Sequence, residues 1–324
     1  MAFKLLLYAD GSVPEAEDAM RDWPAQLRAE VPEAELHLAA SEHEAEPAIA
    51  EVEAAFGQLP PALFAKAKRL KWLASPRAGP EPSFYHRALV ESQVVVTNVR
   101  GIYNDHISAH IMAFLLGFAH GLPVYRDRQR ERLWRKGAPT VYLPEATVLL
   151  VGVGGIGGET ARRCREFGMT VLGVDPRAEA MPDGIGRMHR PAELDRLLPR
   201  ADFVVLTVPE TPATQRFFDR SKLGLMKRTA YLINIGRGAT VVLDDLNRAL
   251  HEGVIAGAAL DVFETEPLPA EHPLWESPGM VMTPHVAADG PHLGRRRYLV
   301  FRDNCRRFAA GQPLRNVVDK ANWF

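Results

Sequence analysis

Between residues 148 and 175 the chain reads VLLVGVGGIGGETARRCREFGMTVLGVD: an aliphatic run, a glycine-rich turn, a helical stretch and a second aliphatic run ending on an acid. Such a segment restricts the fold strongly, because two parallel strands need a crossover connection and a sheet covered on both faces. Gly152, Gly154 and Gly157 stand in the G-x-G-x-x-G spacing. The first glycine permits the tight turn, the second lets backbone approach a pyrophosphate, and the third allows the helix to pack closely. The helix N-terminus attracts the anion. With Gly155 and Ile156 completing the turn, the segment is expected to bind a dinucleotide. Asp175 falls where a ribose hydroxyl is held, which favours NAD(H); Arg177 offsets the repulsion of a 2′-phosphate and leaves NADP(H) open.

The same alternation runs through the chain. KLLLYA (4–9), EAAFG (53–57), KWLAS (71–75) and VVVTN (94–98) read as strands of a first unit. TVLLVG (147–152), TVLGVD (170–175), DFVVLTV (202–208), AYLINIG (230–236), GAALDVF (257–263) and MVMTP (280–284) read as strands of a second. Amphipathic stretches lie between them, so the expected class is α/β with parallel sheets. Ile107, Ile111, Phe114, Leu115 and Phe118 recur at helical spacing and predict a long helix from Asn104 to Arg135, interrupted near Gly121 and Pro123. A length of 324 residues exceeds what one core usually covers, and two domains are expected.

Composition narrows the partners. Thirty-nine basic against 40 acidic residues give a formal net charge of −1, so no global field draws the protein onto nucleic acid. The Arg-rich run from Arg126 to Lys136 is mixed with acids, as a solvated helix face is. The apolar start reaches Asp10 without a cleavage pattern, and no run is long enough to cross a bilayer, so a cytoplasmic protein with no membrane partner is expected. Cys164 and Cys305 are too few for a disulfide framework and are read as inert thiols rather than metal ligands. A small-molecule partner remains.

Three polar residues each follow an expected strand: Arg237 after LINIG, Glu266 after LDVFET, and His285 after MVMTP. Ligands of open α/β sheets bind at that edge. An arginine holds a carboxylate bidentately, a histidine moves a proton near neutral pH, and a glutamate orients the histidine. Taken singly, the histidine reads as well as a hydrogen-bonded structural residue and the glutamate as a solvated loop residue. Together, downstream of a dinucleotide turn, they suit reduction of a 2-oxo acid.

With LLVGVGGIG, LINIGRGATV, AALDVFETEPLP and HPLWESPGMVMTPHVA, the chain resembles the D-isomer-specific 2-hydroxyacid dehydrogenases over nearly its whole length. HPLWESP and VTNVRGIYNDHISAHIMAFLL resemble most the glyoxylate and hydroxypyruvate reductase branch. The resemblance implies two Rossmann-like domains with parallel sheets, the cofactor domain (99–286) inserted into a substrate-binding, catalytic domain made of 1–98 and 287–324. It implies a homodimer associating through the cofactor domains and the long helix, and small 2-oxo or 2-hydroxy acids as ligands. Residue by residue, Arg237 binds the substrate carboxylate, His285 is the general acid and base, and Glu266 pairs with its imidazole. Thr207, Val208, Pro209 and Ile235 line the cofactor, and Asp261 stands near the nicotinamide carboxamide. Arg77, Ala78 and Gly79 form the substrate loop.

That loop departs from the family pattern: Arg77-Ala78-Gly79-Pro80-Glu81 replaces Gly-Ala-Gly-Val-Asp, and Pro80 offers no N–H. Arg77 is either a second cation for the substrate or a solvent-facing arginine. Ser108-Ala109 stands for the usual Ala-Glu, and His120 for a common arginine. Trp134 matches a family residue that reaches the partner subunit's pocket, or else is simply packed. Two other readings belong to the same fold: an NAD(H)-sensing binding module, and a phosphoglycerate dehydrogenase-like enzyme. A formate dehydrogenase is disfavoured because that branch carries glutamine where Glu266 stands.

Overall fold

The computed structural model describes residues 1–80, 82–177 and 182–321. Glu81, in the substrate loop named above, lies outside them. The chain forms two compact units, Met1–Ile102 with Gly290–Phe324, and Tyr103–Asp289.

The first unit runs β1 (Phe3–Tyr8), α1 (Pro14–Asp22), α2 (Pro24–Glu30), β2 (Ala34–Ala39), α3 (Glu42–Ile49), β3 (Ala54–Phe56), α4 (Pro61–Lys66), β4 (Trp72–Ala74), α5 (Arg87–Glu91) and β5 (Val95–Thr97). The second runs α6 (Asn104–Ala119), α7 (Leu122–Arg130), β6 (Thr147–Val151), α8 (Gly155–Glu166), β7 (Thr170–Val174), β8 (Arg187–His189), α9 (Leu194–Leu197), β9 (Phe203–Leu206), α10 (Arg220–Leu225), β10 (Tyr231–Asn234), α11 (Leu243–His251), β11 (Gly257–Leu260) and β12 (Met280–Met282). The chain then returns to the first unit with α12 (Leu293–Ala309).

Both sheets are parallel, as their near-continuous aliphatic strands require. The order in the first is β2-β1-β3-β4-β5, and in the second β12-β11-β10-β9-β6-β7-β8. In the second sheet the winding reverses between β6 and β9, where doubly wound folds bind their ligands at the carboxyl ends of the strands.

Side chains alternate across each sheet, so every inner strand feeds two cores. Leu149 and Val151 of β6 enter one cluster with Val204, Leu232 and Leu260, whereas Val148 and Leu150 enter the other with Val205, Ile233 and α6 residues Ile111 and Leu115. In the first unit, Phe3, Leu5 and Leu7 face α12 through Tyr298, Phe301 and Cys305, and Leu6 and Tyr8 face the opposite side. Phe301 stacks on Trp23 at 5.4 Å and meets Phe56 at 4.9 Å. Fully burying such a ring contributes about 2–3 kcal/mol, which ties the C-terminal helix to the N-terminal sheet.

Two strands, β2 and β8, were not expected from the sequence, and both are sheet edges. The long helix breaks at Gly121, which adopts φ 64, and its second part bends by 69°. That part ends at Arg130 rather than Arg135, because Arg132 turns into the left-handed region at φ 57 and the basic 126–136 run leaves no apolar face to bury. Among the described residues, no single helix is long and apolar enough to cross a membrane.

Candidate active site

The glycine turn joins β6 to α8. Gly152 adopts φ 95, open to glycine and costly to other residues, and packs against the Thr207 backbone. The Thr207 hydroxyl donates to the Gly152 carbonyl, binding the β9 loop to the turn at 2.6 Å. A side chain at Gly157 would strike that same carbonyl, so only glycine lets α8 begin so close to the strand. Gly154 is different: its missing side chain would point into open space, and it caps α8 without a side-chain partner for the first-turn N–H groups. An uncapped helix N-terminus over an open backbone fits the pyrophosphate of a dinucleotide.

Asp175 closes β7 and is buried. Its Oδ2 accepts the Val153 N–H at 2.9 Å, while Oδ1 accepts the Arg177 N–H at 2.9 Å and the Arg177 Nε at 3.0 Å. Burial pushes the carboxyl up, but the Arg177 guanidinium and the two backbone donors outweigh it and hold Asp175 below the usual aspartate range. The aspartate is thus already paired to the arginine beside it. Among the other expected cofactor residues, Val208 and Ile156 are half-buried, Pro209 is exposed and its carbonyl accepts from the Thr214 hydroxyl at 2.7 Å, and Ile235 is in the core.

The Arg237 segment leaves β10 through a turn stapled by Asn234: its Oδ1 accepts the Gly236 N–H at 3.0 Å and its Nδ2 donates to the Arg237 carbonyl at 3.0 Å. Gly238 packs directly on the Phe263 carbonyl, leaving no room for a side chain. Arg237 is half-buried; its Nη1 donates to the Gly236 carbonyl at 2.7 Å, and among the described residues no carboxylate pairs with it. A guanidinium held this way keeps donors free for an anion.

Glu266 and His285 are brought together. His285 Nδ1 lies 2.7 Å from Glu266 Oε2, and Glu266 Oε1 accepts the Phe263 N–H at 2.9 Å. The glutamate is therefore braced by backbone while it holds the imidazole. Asp261 is buried rather than exposed to a ligand: its Oδ1 accepts the Thr283 hydroxyl at 2.6 Å and the Val286 N–H at 2.9 Å, and its Oδ2 accepts the Ala287 N–H at 2.9 Å. It shapes the loop that carries His285. Two residues in this network escaped the sequence reading, Thr283 and His110, whose Nε2 is 3.0 Å from the Thr283 hydroxyl.

The substrate loop belongs to the first unit. Arg77 Nε donates to Glu15 Oε2 at 3.1 Å, Ala78 accepts from Asn98 Nδ2 at 2.8 Å, and Gly79 is exposed. Arg77 is thus neither a free cation nor a plain surface arginine. Trp134 is fully exposed.

Residues 112–287 match the family described as D-isomer specific 2-hydroxyacid dehydrogenase, NAD binding domain. The chain belongs to this family. It is similar to a glyoxylate reductase of Korarchaeum cryptofilum, 36% identical over 70% of this chain and 70% of that protein. It is also similar to a D-3-phosphoglycerate dehydrogenase of Methanocaldococcus jannaschii, 29% identical over 79% of this chain; the match spans only 49% of that protein's length. Among solved structures, an NADPH-dependent glyoxylate/hydroxypyruvate reductase of Sinorhizobium meliloti, in complex with NADP and sulfate, superimposes with a TM-score of 0.81 at 27% identity, covering 100% of both chains. The glycine turn and the Arg237, Glu266 and His285 segments all lie within the matched family domain.

Proposed function

We propose that the protein reduces small 2-oxo acids to D-2-hydroxy acids, reversibly, with glyoxylate or hydroxypyruvate as the preferred acid. The observation that carries this reading is the 2.7 Å pair between His285 and Glu266 in the same unit as a half-buried arginine that, among the described residues, no carboxylate neutralises. The bound nicotinamide supplies or accepts the hydride. Arg237 holds the carboxylate of the acid through its guanidinium fork and draws electron density from the carbonyl. Because Nδ1 of His285 is committed to Glu266, Nε2 is the nitrogen that gives its proton to the forming alkoxide, and takes it back in oxidation.

Two features refine the reading. The Asp175–Arg177 pair leaves the adenosine ribose site with a carboxylate already neutralised, so the repulsion that excludes a 2′-phosphate is weakened. We therefore assign the enzyme to both NADH and NADPH, in keeping with the NADP-bound relative. The Arg77–Glu15 ion pair leaves the substrate loop without a spare positive charge, which favours a monoanionic acid over a phosphorylated one. The exposed Leu133, Trp134 and Tyr142 support a homodimer formed through this segment.

The test is absorbance at the reduced-nicotinamide band with purified protein, NADH or NADPH, and glyoxylate, hydroxypyruvate, pyruvate, phenylpyruvate and 3-phosphohydroxypyruvate. Fast oxidation with the first two acids is the expected result. A preference for the phosphorylated acid would move the protein to the phosphoglycerate dehydrogenase reading. Cofactor binding without turnover of any acid would favour the nicotinamide-sensing one. Arg177→Ala should weaken NADPH about 10-fold more than NADH; equal effects would mean the 2′ position is read elsewhere.

A further inference from the structure

His285 occupies a conformation that few side-chain-bearing residues tolerate, φ 56, directly after Pro284. Left-handed backbone is costly to a residue with a Cβ, so it persists only where neighbours hold it. The holding groups converge on Asp261. The His285 N–H donates to the Asp261 carbonyl at 2.8 Å, and the two residues that follow, Val286 and Ala287, donate their N–H groups to its carboxylate. The remaining anchor is the Thr283 hydroxyl, at 2.6 Å from Asp261 Oδ1. The loop that presents His285 is therefore fixed on both sides of the histidine by one buried carboxylate.

A threonine hydroxyl has one proton and rotates freely unless a second partner fixes it. Here that partner is His110 of α6, whose Nε2 lies 3.0 Å from the Thr283 oxygen and 3.9 Å from Asp261 Oδ1. Since the Asp261 carboxylate already accepts two backbone N–H groups, it takes the hydroxyl proton as well. Thr283 then has only lone pairs left for the imidazole. His110 Nε2 must carry a hydrogen and donate it. Its ring is held edge-on against Phe114, one turn further along the same helix, at 4.6 Å between centroids.

We propose that His110 is a positioning residue for His285: its Nε2–H locks the Thr283 hydroxyl onto Asp261 and so holds the proton-transfer loop from the helix beneath it. The inference rests on the assignment of His285 as the proton donor. His110 touches no reacting atom and acts through Thr283 and Asp261.

The experiment compares His110→Phe, which keeps a ring but no donor, His110→Gln, whose amide N–H stands in for Nε2–H, and Thr283→Val, alone and combined with His110→Phe. Misplacing a reacting group by a fraction of an ångström to an ångström costs on the order of 10- to 100-fold in rate. His110→Phe is expected to lower kcat by at least about 10-fold with the KM for the 2-oxo acid within about two-fold, and His110→Gln to recover most of it. Thr283→Val should match His110→Phe, and the double variant should be no worse than either single one, because all three break one chain. Full kcat in His110→Phe, equal rates for Phe and Gln, or additive losses would overturn the proposal. His285→Gln run alongside separates the two claims: if it too retains turnover, the assignment of His285 fails, whereas its loss beside an unaffected His110→Phe overturns the positioning role alone. Amide hydrogen exchange at Val286 and Ala287 gives a readout without activity. Exchange should quicken in His110→Phe and stay at the parent rate in His110→Gln, and identical rates in all three proteins would also overturn it.

Discussion

Glu266 grips His285 with one carboxylate oxygen, 2.7 Å from Nδ1, and the Phe263 backbone with the other, at 2.9 Å. The glutamate thus transfers the rigidity of the β11 exit to a histidine that is itself exposed. An imidazole oriented from behind through Nδ1 presents its other nitrogen, Nε2, to a substrate. His285→Gln should lower kcat by about 10²- to 10⁴-fold while NADH affinity, measured by nicotinamide fluorescence, changes less than about two-fold. Glu266→Gln should lose less, about 10-fold, since the amide can keep one of the two contacts but not both. Near-normal turnover in His285→Gln across neutral pH would remove it from the mechanism.

Among the described residues the Arg237 side chain is held by a backbone carbonyl, so its removal should not disturb its surroundings. Arg237→Ala is expected to cut kcat/KM for the 2-oxo acid by at least about 100-fold, the scale of a lost charge-assisted fork, with NADH binding preserved. A matching loss of cofactor affinity would contradict the division of roles between this arginine and the glycine turn.

The contact between Gly238 and Phe263 joins the arginine turn to the segment that leads to Glu266. A methyl group at residue 238 would overlap the Phe263 carbonyl, a backbone group that cannot yield as the end of a flexible side chain does. Gly238→Ala should therefore destabilise the protein by more than about 2 kcal/mol, a Tm loss of roughly 5 °C or more for a domain of this size, and lower turnover together with it. An unchanged melting curve would show the two segments to be looser than described.

Asp175 couples stability to pH. Its carboxyl titrates below the usual range in the folded protein, through Arg177 and two backbone N–H groups that outweigh the cost of burial. A depressed folded value means stabilisation that is complete above the unfolded value, about 3.9, and is lost as pH falls through the folded one. Asp175→Asn should melt earlier than the parent at pH 7, and the gap should close as the pH is taken down toward 2–3. A gap independent of pH would mean that the carboxylate's charge contributes nothing.

Both thiols are inaccessible. Burial pushes Cys164 up to about 12, raises Cys305 as well, and leaves neither exposed. A thiol reagent at pH 8 should label neither cysteine in the native protein and both in denaturant. Rapid labelling of the native protein would show that the cores open readily.

Much of this is legible in the sequence itself. Interior strands such as β6 and β9 are aliphatic on both faces because helices cover both, and a local run announces them. The edge strands β2 and β8 are hidden by the same logic: with fewer neighbours they tolerate Glu35, His37, Arg187 and His189 and read as loop. The glycine turn was readable because the positive φ of Gly152 and the approach of Gly157 to the Gly152 carbonyl are local limits. Arg237 and His285 were readable because each follows closely on a strand, β10 and β12, whereas Glu266 lies further out, in the loop after β11, and was readable only beside them.

Pairing was not. Nothing in the order of residues says that Glu15 neutralises Arg77, or that Asp261 turns inward to hold the loop of His285. His110 and Thr283 are 173 residues apart and meet only because α6 lies against the second sheet. Local sterics and hydrophobic period are written in neighbouring residues and can be read there. Hydrogen-bond partners and charge neutralisation depend on distances of a few ångströms between remote segments, and the packed sheet sets those distances.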